Sequence, residues 1–237
     1  MVLISWAAFA QTQEPEFEAA SIKPSGPIEQ GRFVGWKGGP GTNDPGVYTY
    51  TFCTVELLIM RAYDVPYYRL SNTNRLPDTR FHVIAAVPTG TTKEQFLKMQ
   101  QNLLADRFKL ATHRETHETD TLRLLTAEGG IKLKAYVEGE PPMKRDMREP
   151  GIYYQEQGRT LAEFADFVAG YYAKPVINAT GLDGKYDFNV WFSVGPDNSL
   201  APSIGTAIRA LGLRVESHKE SLEMIVVDHV EKTPTEN

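Results

Sequence analysis

Apolar residues recur along the chain with two periods, and each period predicts one kind of element. Two segments place apolar side chains at positions i, i+3, i+4 and i+7, which is the spacing of one helical face. Each series follows a threonine: Val55, Leu58, Ile59 and Ala62 follow Thr54, and Leu161, Phe164, Ala165 and Val168 follow Thr160. Threonine is a common N-cap, and Thr160 with Glu163 has the form of a capping box. We therefore expect one helix after each threonine.

Strands and further helices are predicted after both of these helices. In the first half, the pattern predicts strands over 67–71 and 80–87, a helix capped by Thr92, a strand over 109–116 and a returning strand over 121–127. In the second half, it predicts strands over 175–178 and 185–192 around an Asp183-Gly184 hairpin turn, a helix over 202–211, and strands over 213–220 and 222–230. Three further strands are expected over 17–25, 31–39 and 46–52.

The two halves resemble each other in sequence. FKLATHRET at 108–116 aligns with LRVESHKES at 213–221, and RFHV at 80–83 aligns with KYDF at 185–188, both at an offset of 105 positions. The two helix-capping threonines are 106 positions apart. A constant offset is the signature of an internal repeat. We predict an α+β fold made by tandem duplication of a helix-strand-strand-helix-strand-strand unit, with an extra N-terminal β segment.

The domain boundary is predicted from composition. Residues 139–151, GEPPMKRDMREPG, combine proline, glycine and charge, which is typical of an exposed linker. The predicted domains are therefore 11–138 and 152–237. Residues 1–10 form a short apolar stretch ending in Ala8-Phe9-Ala10, a small-x-small cleavage pattern, although no basic residue precedes it. We interpret 1–10 as a truncated signal peptide, and an N-terminal apolar strand is the alternative.

Composition and charge narrow the class of protein. With 41% hydrophobic and 23% charged residues, the 237-residue chain is typical of a folded globular protein. A net charge of −5 without a basic cluster gives no support to nucleic acid as a partner. No apolar run is long enough to cross a bilayer. The single cysteine, Cys53, excludes an intrachain disulfide, and its apolar neighbours predict a buried thiol.

Three alternating residues are the candidate metal ligands. On an extended chain His113, Glu115 and His117 would lie on one face, and two imidazoles with a carboxylate can bind zinc or copper. The repeat favours a solvated strand face instead, because His218 and Glu220 match the first two while Leu222 stands at the third position. A metal-dependent or hydrolytic enzyme would use this triad, with His82 and Asp187 as further polar groups at matching strand positions.

Other catalytic signatures are missing from the sequence. It contains no nucleophile elbow, no zinc-protease helix motif, no phosphate-binding loop and no dinucleotide fingerprint. Asp183 and Asp187 flank a predicted turn, where aspartate needs no catalytic explanation. The sequence thus favours a binding protein that has no catalytic residues and no cofactor.

Several blocks of the sequence resemble a known family. They are FEAASIKPS near the start, LLADRFKLATHRET, GGIKLK, KPVINATGLDGKYDF, ALGLRVESHKE and the closing IVVDHVEKTPTEN. Together they resemble a large secreted family of unknown function that is expanded in soil Acidobacteria, whose members are sometimes fused to membrane metallopeptidase sensor proteins. Members usually have arginine at the position of His117. The element order is also similar to the short N-terminal domains of secretins and TonB-dependent receptors.

The resemblance implies a bacterial protein that works in the periplasm or outside the cell. It brings no reaction, cofactor or catalytic residue that could be assigned to this chain. We therefore expect a non-catalytic extracytoplasmic binding, sensing or interaction module. The expected partner is an envelope or extracellular protein, a peptide bound at a sheet edge, or a glycan.

Overall fold

A computed structural model describes residues 14–27, 33–144, 151–172, 174–193 and 201–235. The chain is α+β, as predicted, with four helices and eleven strands among these residues. The segment interpreted as a signal peptide lies outside the described residues. The chain forms two compact units, which we call unit 1 (residues up to Glu115 and from Glu223 onward) and unit 2 (Thr116–Leu222).

Unit 1 contains an antiparallel sheet of four strands and two helices. The sheet order is β1-β5-β3-β2, from β1 (Ala19–Pro24), β2 (Gly35–Gly38), β3 (Val47–Cys53) and β5 (Phe81–Ala86). Helices α1 (Val55–Tyr63) and α2 (Lys93–Phe108) pack on one face of it, because their apolar side chains share one core with the inward residues of the strands. The three predicted N-terminal strands are confirmed.

The helix starts in unit 1 follow the predicted capping chemistry. The hydroxyl of Thr54 accepts the Leu57 N–H, and Thr92 forms a complete capping box with Gln95. Between the helices, the expected strand over 67–71 is mostly a 3-10 turn, Tyr67–Arg69, followed by the two-residue β4 (Leu70–Ser71). A proline at 66 holds the N-cap of that turn in an extended conformation.

Unit 2 also contains an antiparallel sheet and two helices. Its antiparallel sheet has the order β7-β10-β8, from β7 (Lys134–Ala135), β8 (Ile152–Arg159) and β10 (Tyr186–Phe192). Helix α3 (Leu161–Tyr172) begins with the predicted capping box, since Thr160 and Glu163 bond each other's backbone N–H. Helix α4 (Ile204–Ala210) starts at Ser203 and is followed by Gly212 in a left-handed conformation.

Two long strands replace the four short ones predicted at the ends of the two halves. Strand β6 runs from Ala111 to Thr126 and β11 from Leu213 to His229, each without a reversal. Residues 121–126 and 222–229 are strand as predicted, but the predicted return at 121–127 is wrong, and 213–220 and 222–230 belong to one strand instead of two. Neither 117–120 nor 217–221 contains glycine, proline or asparagine, which are the residues that most tight hairpin turns use. Phe108 also belongs to α2, and not to the strand that follows.

These long strands form a third sheet with two short strands. Its order is β4-β11-β6-β9, where β9 is Val176–Asn178. In unit 1, Leu70 and Ser71 of β4 pair in parallel with Ile225 and Val226 of β11. In unit 2, β9 pairs in parallel with Leu122–Leu124 of β6. The predicted hairpin at Asp183-Gly184 is therefore wrong, because β9 and β10 belong to different sheets.

The chain enters unit 2 along β6 and returns to unit 1 along β11. The observed units divide the sequence at 115/116 and at 222/223, whereas the sequence suggested a linker over 139–151. Residues 145–150 of that linker lie outside the described residues. The exposed character of 139–151 stays a prediction. No helix in the described ranges is both long and apolar enough to span a membrane.

Candidate functional site

The histidine candidates lie on β6. His113 and Glu115 are exposed, and His117 is half-buried. The Nδ1 of His113 lies 2.8 Å from Oδ1 of Asp228 on β11, and its Nε2 lies 3.6 Å from Glu115. The hydrogen bond with Asp228, helped by Glu115, holds the pKa of His113 above its usual value. This exposed His–Asp pair is a surface ion pair when the imidazole is protonated and the carboxylate is ionised.

The structure does not assemble the predicted triad into a metal site. Across 14–27, 33–144, 151–172, 174–193 and 201–235, no three or more His, Cys, Asp or Glu residues are grouped so that they could hold a metal ion. His82 is half-buried on β5, where its ring packs edge-on against Phe52 with centroids 4.8 Å apart. Cys53 is fully buried, and burial raises the pKa of its thiol to about 12, so it is an inert thiol at neutral pH.

Asp187 has a different environment, since it lines a cleft in unit 2. The cleft has a volume of about 490 Å³, within the range of small-ligand sites. It lies on the face of the β7-β10-β8 sheet that is turned away from α3, since Phe188 of β10 packs on the helix residue Phe164. The residues that line it are Lys132, Leu133, Lys134, Glu140, Pro141, Met143, Gln157, Asp187, Asn189 and Leu211.

Asp187 is a buried carboxylate with few partners. Its side chain is 6% exposed. Oδ1 accepts the backbone N–H of Gly158 at 3.3 Å, and Oδ2 lies 3.9 Å from Nζ of Lys134. A strand bulge between Tyr186 and Phe188 brings this side chain beside Gly158, whose φ of +66° is easiest for glycine. Local backbone irregularity thus positions the carboxylate.

Lys134 connects the sheet to the loop above it. Its ammonium group is directly paired with Glu140 and lies farther from Asp187. The hydrogen bond with Glu140, reinforced by both negative charges, raises the pKa of Lys134. Lys134 therefore stays protonated in the cleft and offsets part of the negative charge on Asp187.

Gln157 holds the loop over 141–143 in place. Its side-chain carbonyl accepts the Met143 N–H at 2.6 Å, and its amide donates to the Pro141 carbonyl at 3.4 Å. The loop satisfies its backbone groups in this way without joining the sheet. Beneath it, Lys132 is fixed by its own N–H, which donates to the Leu211 carbonyl at 2.8 Å. The cleft wall is thus built from hydrogen-bonded segments.

The lining of the cleft carries groups that can bind a ligand. The described lining residues carry ammonium, carboxylate, amide and apolar groups, and they include no hydroxyl, thiol or imidazole. Such a set can donate and accept hydrogen bonds around a polar ligand.

Sequence reasoning found only one residue of this cleft. Asp187 was a minor candidate because it matches His82 in the repeat, whereas Lys132, Lys134, Gln157 and Asn189 were not singled out. Asp187 and Asn189 alternate with Tyr186, Phe188 and Val190, which predicts a polar strand face but not the loop that covers it. The proline and glycine residues over 139–142 were the available signal, and they suggested a linker.

Comparison with known proteins places the chain in a family. Residues 56–230 match the family described as Protein of unknown function (DUF3738). Neither curated proteins nor solved structures give a significant match. The family match spans most of the chain, from α1 of unit 1 through unit 2, and it includes all the described residues that line the cleft. The chain therefore belongs to this family, whose description assigns no activity.

Proposed function

We propose that this protein is a non-catalytic binding module that takes a small polar ligand into the cleft of unit 2. The observation that carries the proposal is the buried carboxylate of Asp187, which lines a volume of about 490 Å³ while most of its hydrogen-bonding capacity is unused. Buried charged groups are normally fully paired, so a site that leaves one under-paired is suited to a ligand that completes the pairing.

The surrounding groups support binding rather than turnover. Lys134 is occupied by Glu140, and Gln157 is occupied by the loop, so neither is positioned as a free acid or base. Leu133, Met143 and Leu211 form an apolar part of the wall. Convergent polar groups on an apolar wall are typical of recognition sites.

A ligand screen on the full chain tests this function. Three pools of probes, namely neutral disaccharides, uncharged tripeptides and short carboxylic acids, are added to ¹⁵N-labelled protein, and the amide shifts are followed. We expect at least one pool to shift Gly158, Asp187 and Asn189 together, and the bound probe to be recovered unchanged. Failure of every pool to shift these amides would reject the cleft as a binding site. A chemically altered probe would reject the non-catalytic assignment.

A filled-cleft variant provides the control for this screen. Leu133→Trp adds volume to the wall of the cleft, where Leu133 is half-buried. The same pool should then lose its effect on Gly158 and Asn189. Val137→Trp, at an exposed residue of unit 2 that does not line the cleft, should leave the shifts unchanged.

We also propose that the module works outside the cytoplasm, in the periplasm or the surrounding medium, with an envelope or extracellular partner. The support is the small-x-small pattern that ends at Ala10, together with a chain that has a single, buried cysteine and needs no reducing compartment. Fractionation of a bacterium expressing the chain tests this. Recovery of protein in the periplasm or medium with residues 1–10 removed is expected, and purely cytoplasmic, uncleaved protein would contradict it.

A further inference from the structure

The hydrogen-bonding groups of the cleft narrow the class of polar ligand that it can bind. Oδ2 of Asp187 receives no hydrogen bond from the described residues, since Lys134 Nζ at 3.9 Å is too far to donate one. An ionised carboxylate can accept about four hydrogen bonds. Oδ2 is therefore an acceptor that a ligand with an O–H or N–H donor can use in place of water.

Asn189 and Lys132 line the same cleft as Asp187 and carry groups that can donate hydrogen bonds to a ligand. Asn189 lies two residues along the same face of β10, and its side-chain carbonyl already accepts from Gln155 at 2.9 Å. Its NH₂ group donates to none of the described residues, so it is available. Lys132 is exposed at the cleft and pairs with no carboxylate in the part of the chain that the structure describes. The ligand must therefore also present acceptors.

The charges of the cleft balance, which argues against a strongly charged ligand. Among the described lining residues, two lysines, Lys132 and Lys134, face two carboxylates, Glu140 and Asp187, so these residues carry a formal charge of zero. A cation would gain from Asp187 but meet two ammonium groups, and an anion would meet two carboxylates. A neutral ligand avoids both costs.

A hydroxyl group meets all of these requirements, because it donates and accepts at once. Two hydroxyls on neighbouring carbons can donate to Asp187 while accepting from Asn189 and Lys132. The C–H face of a sugar ring can pack on Leu133 and Met143, which line the same cleft. A neutral peptide has donors and acceptors too, but they are separate groups at fixed spacing along its backbone.

We propose that the cleft of unit 2 is a carbohydrate site in which Asp187, Asn189 and Lys132 bind the hydroxyl groups of a neutral saccharide. The proposal rests on the binding function proposed above and names its ligand class. Asp187 is the central contact, since it is the buried acceptor, and the other two residues orient the ring from the rim.

Titration of the full chain with named sugars tests this assignment. Cellobiose, maltose and N,N′-diacetylchitobiose are each compared with trialanine by NMR shifts and calorimetry. We expect at least one disaccharide, and not trialanine, to shift Asp187, Asn189 and Gly158. Asp187→Asn should weaken that binding by about 10-fold or more, because a hydrogen bond to a charged group is lost.

Matched variants keep the test interpretable if Asp187→Asn affects folding. Lys132→Ala and Asn189→Ala change exposed residues of the cleft and should each weaken binding several-fold. Lys219→Ala removes an exposed lysine of unit 2 outside the cleft and should leave the affinity unchanged.

The possible failures separate the two proposals. Cleft shifts with trialanine alone would overturn the carbohydrate assignment and keep the binding function. Sugar binding that is unaffected by all three cleft variants, or that shifts residues elsewhere, would overturn the assigned site. Cleft amides that respond to no sugar and no peptide would overturn both.

Discussion

The two units share one layout but use the outer faces of their sheets differently. In unit 1 the central strand β5 places His82 opposite Lys23 of β1, and in unit 2 the central strand β10 places Asp187 opposite Lys134 of β7. Each central strand also pairs with the strand that leads into a helix. This agreement is what a duplication predicts, although the duplication itself stays a prediction.

The outer faces show the difference. In unit 1 Ile84, two residues beyond His82, is 56% exposed. In unit 2 a loop held by Gln157 and by the Lys134–Glu140 pair covers Asp187, so that its side chain is only 6% exposed. The difference between the two outer faces is made by this loop, which forms a cleft on the outer face of the unit 2 sheet. The proposed binding site therefore lies in a part of unit 2 that has no equivalent in unit 1.

The largest expected effect is a loss of structure in unit 1 that leaves unit 2 intact. Truncation after Leu222 removes Ile225 and Val227, which belong to the core of unit 1, and takes away the strand partner of β4. We expect amide protection to be lost throughout unit 1 and kept in unit 2, as measured by hydrogen exchange. Truncation after Thr235 is the control. Retained protection in unit 1 after the larger truncation would show that the observed division of the chain is wrong.

Matched core substitutions test the equivalence of the two units. Phe108 and Leu213 are 105 positions apart, and both are fully buried, Phe108 at the end of α2 and Leu213 at the start of β11. Phe108→Ala and Leu213→Ala should each lower the free energy of unfolding by about 3 kcal/mol, because each leaves a cavity. Chemical denaturation measures both, with Phe108→Leu as a milder control. A cost below about 1 kcal/mol for either residue would mean that its site is not equivalent to the other.

The second helices of the two units are followed by different residues in the left-handed backbone conformation, a lysine after α2 and a glycine after α4. Lys109 follows α2 with φ +49°, and Gly212 follows α4 with φ +74°. Lys109→Gly should stabilise the protein by about 0.5–1 kcal/mol, because glycine adopts left-handed backbone without strain. Gly212→Ala should destabilise it, since a Cβ would lie 2.1 Å from the carbonyl oxygen of Gly130. Thermal melts of both variants check the opposite signs.

Substitution of His113 or His117 should change the stability of the protein little. His113→Gln and His117→Arg should each change the free energy of unfolding by no more than about 0.5 kcal/mol, as surface substitutions usually do. Chemical denaturation measures it. Costs close to that of Phe108→Ala would show that these histidines are structurally required, and a zinc or copper content that is lost in His113→Ala would restore the metal hypothesis.

The smallest expected effect is a shift in the pKa of His113, which tests its contact with Asp228. Asp228 raises it above the ordinary value of about 6.5, so the folded state binds the proton more tightly than the unfolded chain. The resulting stabilisation is fully present below the unfolded pKa and is lost as the pH rises through the folded one. An NMR titration should find the raised value, and Asp228→Asn should lower it. An unchanged value in that variant would exclude Asp228 as the cause.

Local chemistry was predictable from the sequence, and strand pairing was not. Thr54, Thr92 and Thr160 cap helices as predicted, because capping depends on residues within one turn. The partners of β9 and β11 depend on contacts more than 50 positions away, which no local pattern encodes. The cleft was missed for the same reason, since the burial of Asp187 depends on a loop about 45 positions earlier in the chain.

The return of β11 to unit 1 sets the order in which the protein can be completed during synthesis. A nascent chain that has emerged to Glu115 has both helices and the main sheet of unit 1, but β4 lacks the strand with which it pairs. All of unit 2 must be translated before that strand appears, which takes about 5–20 s at a synthesis rate of about 5–20 residues per second. During this interval the apolar side chains that Ile225 and Val227 will cover are open to water and to chaperones. The unit that emerges first from the ribosome is the last to finish folding.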